Sequence, residues 1–142
     1  MAKVFEGEIS KALHGMDIYC HKCPDHPHAI PDKVDFLAAL PPRGRFIALE
    51  AKETKNETHV PASILTPNQR ACLERVDRCG GLSLVVINFD RRRGIGGRVG
   101  FAIAYRWQYL PAPGEDFLIA EGDLIARVRG GWDLSSYLQQ FV

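Results

Sequence analysis

"PDKVDFLAALPPRGRFIALEAKET", residues 31–54, decides how this chain is read. Two apolar runs flank "PPRG", which reads as a four-residue hairpin loop between strands at about 33–40 and 45–52. The first run embeds Asp35. The second runs straight into Glu50 and Lys52, which share one face because strand side chains alternate. With that loop Leu40 pairs with Arg45, and the ladder sets Asp35 directly opposite Glu50. Facing carboxylates on an antiparallel pair repel each other. Burial deepens the cost to roughly several kcal/mol for each unpaired charge.

Something positive must sit between them. Lys52 supplies part of it, and a structural salt-bridge cluster is one reading. A divalent cation is the other. Mg2+ takes oxygen ligands, favours one or two carboxylates and keeps water on its remaining positions. The backbone carbonyl of Ala51 is a natural further ligand, and Lys52 then faces whatever the metal binds. Those parts suit phosphodiester hydrolysis. A bound metal acidifies water and neutralises phosphate charge, while a lysine orients that water or stabilises the charge that develops.

The rest of the chain reads as one domain, 1–142, with a core over about 3–104 and a tail, 105–142, packing on it. Its 142 residues are 46% hydrophobic and 25% charged, the composition of a globular protein with a real core. No run approaches a membrane span and "MAKVFEGEIS" has no leader-like apolar stretch, so the expected setting is intracellular. The small size is compatible with a phage-encoded protein. The formal net charge is +1 but unevenly spread: residues 41–98 carry eleven Lys/Arg and six Asp/Glu, a net of +5. A basic middle is compatible with a polyanionic partner and equally with a solvated charged surface.

The periodicity predicts a helix over 3–14 with Phe5, Ile9, Ala12 and Leu13 on one stripe, closed by Gly15. "MDIYCH" (16–21) reads as a strand and "CPDHPHAIP" (23–31) as a loop. In "TPNQRACLERVDRCGG" (66–81) Thr66 is the expected N-cap, Pro67 suits the first position and Gln69 completes a capping box. Cys72, Leu73, Val76 and Cys79 are expected on its buried face. "LSLVVINF" (82–89) is a continuous apolar run, hence a central strand covered on both sides. "DRRRGIGGR" (90–98) reads as a basic turn, "VGFAIAY" (99–105) as a returning strand, and "DLSSYLQQFV" (133–142) as a final helix. The order α-β-β-β-α-β-β-α predicts an α/β architecture, a mixed central sheet flanked by helices.

"FIALEAKETKN" (46–56) and the "GGLSLVVINF" (80–89) that follows the helix resemble the Holliday junction resolvases of the RecU and archaeal Hjc types, in the PD-(D/E)xK nuclease superfamily. "HKCP" (21–24) is similar to a basic segment upstream of the catalytic aspartate. "FEGEISKAL" (5–13) is similar to the first helix, whose glutamate reaches the active site. The likeness covers most of residues 3–104. It implies a restriction-endonuclease-like core, Asp35, Glu50 and Ala51 as metal ligands, and Lys52 as a catalytic residue. It also implies that Glu6, otherwise a surface helix carboxylate, helps bind or position the metal or its water. Gln69 takes the place of a polar helix residue near the site, although its capping box explains it too. The implied cofactor is Mg2+, with Mn2+ substituting. The implied substrate is a four-way junction, whose symmetry favours a C2 homodimer with paired cuts.

Three further features stand beside this. Cys20, Cys23, His26 and His28 supply enough ligands for a zinc ion, although the spacing is tight and no second CxxC accompanies it. A His/Pro-rich loop with free thiols is the alternative. Lys22, Lys55, Asn56, Thr58, Arg91, Arg92, Arg93 and Arg98 suit phosphate contacts, which position DNA without reading sequence. Trp107 and Tyr109 are expected in the core, with an interface as the alternative. The competing functions are a junction resolvase, a restriction or nicking nuclease that also cuts linear duplex, and a non-catalytic zinc-stabilised DNA-binding module.

Overall fold

The fold is described from a computed structural model. It covers residues 2–23, 34–55, 58–93 and 97–142, with the side chains of 2–3 and 90–99 left out of the description. The chain runs α1 (Ala2–His14), β1 (Tyr19–Lys22), β2 (Phe36–Leu40), β3 (Arg45–Thr54), β4 (His59–Pro61), α2 (Pro67–Arg78), β5 (Leu82–Arg93) and β6 (Gly97–Arg106). The tail adds β7 (Asp116–Leu118), β8 (Asp123–Ile125), β9 (Arg127–Val128), β10 (Gly131–Trp132) and α3 (Leu134–Gln139).

Six strands form the main sheet in the order β1-β2-β3-β5-β6-β8. Every pairing in it is antiparallel except β3 with β5, which is parallel. A parallel pair needs a crossover, and α2 provides it. Leu40 pairs with Arg45 as the hairpin predicts, and Gly44 closes the turn at φ +70°, where a side chain would be strained. Both faces of the sheet are covered. On one, Phe5, Ile9 and Leu13 of α1 and Leu134 and Leu138 of α3 pack over Ile47, Leu49, Leu84 and Val86. On the other, Leu73 of α2, Val60 of β4 and Phe117 of β7 pack over Ala48, Val85, Ile87 and Ile103. β5 sits between these layers, and all residues from Leu82 to Phe89 are buried, as a two-sided strand requires.

α2 carries the complete capping box at its start. It ends at Arg78, before Cys79 can be buried. That residue is the exposed C-cap, Cys72 is half-buried, and only Leu73 of the stripe is fully buried. A helix resting on a flat sheet makes a narrower contact than its apolar stripe suggests. Gly81 follows because a Cβ there would lie 2.9 Å from the Phe46 carbonyl oxygen and 2.7 Å from Val76 Cγ1.

Several boundaries differ from the sequence reading. β2 starts at Phe36, three residues late, because the Asp35 N–H is taken by a side chain. β5 and β6 continue through Arg93 and from Gly97, so Arg91–Arg93 and Arg98 sit on strand ends and not in a turn. Tyr109 is exposed and Trp107 half-buried, where a core role was expected. The tail is not a simple appendage: it adds β8 to the main sheet, and its side chains enter both hydrophobic layers. Among the described residues, no helix is long and apolar enough to cross a membrane.

Candidate active site

The site forms where β2 begins and β3 continues past it. Phe36 pairs with Leu49, so the next position of the ladder would join Asp35 to Glu50. The strand contact ends there, and side chains take over the backbone groups. The Ala51 N–H donates to Asp35 Oδ2 at 2.8 Å, and the Asp35 N–H donates to Glu50 Oε1 at 3.2 Å. The Asp35 carbonyl accepts from the Cys23 N–H at 2.8 Å, which ties the start of β2 to the end of β1. These exchanges hold the two carboxylates side by side where the β2–β3 pairing ends.

Glu50 points to the α2 side, as does Ala48 two residues earlier. It is 2% exposed. Its Oε2 accepts from Lys52 Nζ at 3.2 Å and from Gln69 Nε2 at 3.2 Å. Both oxygens of Glu50 are thus occupied by donors from three elements. Glu6, on the first turns of α1, hydrogen-bonds the Asp35 carboxyl. The residues singled out as Glu6, Asp35, Glu50, Ala51, Lys52 and Gln69 are therefore brought together.

The electrostatics follow from crowding. Burial, then the Glu50 charge, pushes the Asp35 carboxyl up to about 6 from 3.8. Burial also raises Glu50, and Lys52 opposes that rise. Lys52 thus faces Glu50, while Asp35 is met by the carboxyl groups of Glu50 and Glu6, a cluster short of positive charge in the free protein. The donors are oxygens only, which suits a hard divalent cation and not zinc. Among the described residues, no three His, Cys, Asp or Glu side chains gather tightly enough to enclose an ion alone. An ion here would keep water on several positions, which is the habit of Mg2+.

The other expected residues fall differently. Lys22 is exposed on β1 beside Phe36, one residue from Asp35. Lys55 is exposed just past β3. Asn56, His26 and His28, and the side chains of Arg91, Arg92, Arg93 and Arg98, lie outside the described residues. Cys20 is half-buried and Cys23 buried, both as free thiols. Burial, then Cys23, raises the Cys20 thiol, which disfavours the thiolate a metal needs.

One feature went unread in the sequence. Asn88, 2% exposed, lies across from Glu53 and donates to its Oε1 at 3.3 Å, at the same end of the sheet but on the α1 side. The signal was available: an asparagine inside the otherwise apolar run 82–89. The capping box alone accounts for Gln69 in the sequence, because no spacing shows that a residue 19 positions on reaches Glu50.

The architecture is a restriction-endonuclease-like fold. The crystal structure of Hjc, a Holliday junction resolvase from Archaeoglobus fulgidus, superposes with a TM-score of 0.60 over 86% of this chain and 94% of that one, at 15% identity. The sequence profile of the RecU family, Recombination protein U, matches residues 30–95, the segment that carries Asp35, Glu50, Lys52 and Gln69. The Holliday junction resolvase RecU of Shouchella clausii is 43% identical over 47 residues. That match takes in 33% of this chain and only 23% of the relative's length. Over these segments the chain is similar to resolvases of the RecU and Hjc types.

Proposed function

We propose that the protein is a divalent-metal-dependent endonuclease that acts on four-way DNA junctions and resolves them by paired phosphodiester hydrolysis. One observation carries this reading: Asp35 and Glu50 are held together at the start of β2, with Lys52 at 3.2 Å from Glu50. A core salt bridge would pair charges one to one. Here Lys52 pairs with Glu50, while Asp35 is met by the carboxyl groups of Glu50 and Glu6.

In this reading Asp35, Glu50 and the Ala51 carbonyl hold Mg2+ or Mn2+, with Glu6 supporting through Asp35. The bound cation supplies charge neutralisation at the phosphate and a more acidic water. Lys52, whose ammonium lies 3.2 Å from Glu50, would orient the attacking water or meet the charge that develops. Glu6, beside Asp35, is placed to accept or relay a proton. Exposed Lys22 and Lys55 hold the DNA backbone on either side. A C2 homodimer supplies the second cut across a two-fold symmetric junction, and the expected setting is inside a cell.

The test is incubation with Mg2+ on synthetic four-way junctions and on matched linear duplex, with chelator as control. Symmetric cuts on the junction alone, lost in chelator and in Asp35→Asn, are the expected result. Equal cutting of linear duplex would make it a general nuclease of the same superfamily. Binding without cutting, indifferent to Asp35→Asn, would leave a DNA-binding module with structural carboxylates.

A further inference from the structure

The capping box of α2 does two things at once. The Gln69 backbone N–H donates to Thr66 Oγ1 at 3.1 Å, and the Thr66 N–H donates to Gln69 Oε1 at 3.0 Å. A capping box needs nothing more. The remaining end of the amide is not left to water. Gln69 Nε2 donates to Glu50 Oε2 at 3.2 Å.

The amide's orientation is thereby decided. Its oxygen is claimed by a backbone donor, so its NH2 must face the carboxylate; the reversed amide would set oxygen against oxygen and nitrogen against nitrogen. Gln69 is also half-buried, which limits competition from water. Lys52 reaches the same Glu50 oxygen at 3.2 Å, but a flexible ammonium does not fix a direction as a planar amide does.

We propose that the Thr66–Gln69 box is a positioning device for Glu50. It transmits the placement of the helix N-terminus to one carboxylate oxygen and keeps Glu50 aimed. Gln69 is accordingly a positioning residue, acting through Glu50 and not on the reacting atoms. The contact stands on the metal-free geometry. Its consequence for metal binding rests on the function proposed above.

Two variants separate the roles. Gln69→Leu and Thr66→Ala each remove one half of the box, so each should lower the melting temperature by a similar amount. Only Gln69→Leu removes the donor to Glu50. Mn2+ affinity of the whole chain, measured by calorimetry without DNA, should fall about fivefold to tenfold in Gln69→Leu and stay within twofold in Thr66→Ala. Equal affinity losses in the two half-box variants, or none in Gln69→Leu, would overturn the proposal.

A metal-free readout separates this from the functional reading. In chelator, the side-chain NH2 of Gln69 should exchange with solvent more slowly than that of exposed Gln108, observed by NMR. That protection should vanish in Glu50→Ala and persist in Thr66→Ala. Wild-type protein that takes up no Mn2+ but keeps this protection would sink the nuclease reading and leave the clamp. Exchange as fast as that of Gln108 would sink the clamp itself.

Discussion

Replacing Asp35 with Asn should make the metal-free protein more stable, and by an amount that grows with pH. In the folded chain the Asp35 carboxyl is pushed from 3.8 up to about 6 by burial and by Glu50. The folded state therefore binds a proton more tightly than the unfolded state across that interval. Linkage then makes stability fall as pH rises from about 4 through about 6, after which the loss is constant. About two units at ~1.4 kcal/mol each give a full penalty of about 3 kcal/mol at pH 8, and about 1.5 kcal/mol at pH 5. Asn keeps an oxygen to accept from Ala51 N–H and offers an NH2 toward Glu50, so the local geometry survives while the charge goes.

The assay is urea denaturation of both proteins in chelator at the two pH values. Asp35→Asn should lead by about 1.5 kcal/mol at pH 5 and about 3 kcal/mol at pH 8. Saturating Mg2+ should then stabilise the wild type preferentially by mass action and narrow the gap. A gap that is absent at both pH values, or that shrinks toward pH 8, would refute the view that Asp35 is held at electrostatic cost.

Glu50→Gln and Lys52→Ala should each lower junction cleavage by at least about a hundredfold while junction binding, read by gel shift, stays near wild type. Lys22→Ala and Lys55→Ala should weaken binding to junctions of any sequence and each reduce the slope of log affinity against log salt by about 1. Gly81→Ala should cost about 1–3 kcal/mol in urea denaturation, since its Cβ would press on the Phe46 carbonyl at 2.9 Å. Ser83→Ala should cost about 1 kcal/mol because the buried Ser83 hydroxyl donates to the Leu73 carbonyl at 2.6 Å, joining α2 to β5.

Local pattern was enough for a large part of this molecule. Alternation in residues 31–54, the length of "PPRG" and the resulting register placed Asp35 opposite Glu50, because strand pairing is arithmetic once a loop is known. The capping residues of α2 announced themselves for a similar reason: they act on backbone groups within one turn. The apolar run at 82–89 showed a strand buried on both sides. What no local pattern carries is which distant elements meet. Glu6 reaching Asp35, Gln69 turning to Glu50, and Asn88 finding Glu53 depend on how α1, α2 and β5 are laid on the sheet. The tail shows the same limit, since its short strands have little periodicity of their own and form by completing an edge and two hydrophobic layers that the rest of the chain creates. Sequence determined the facing carboxylates; tertiary packing decided what surrounds them, because a side chain's neighbours come from the stacking of whole elements and not from its own place in the chain.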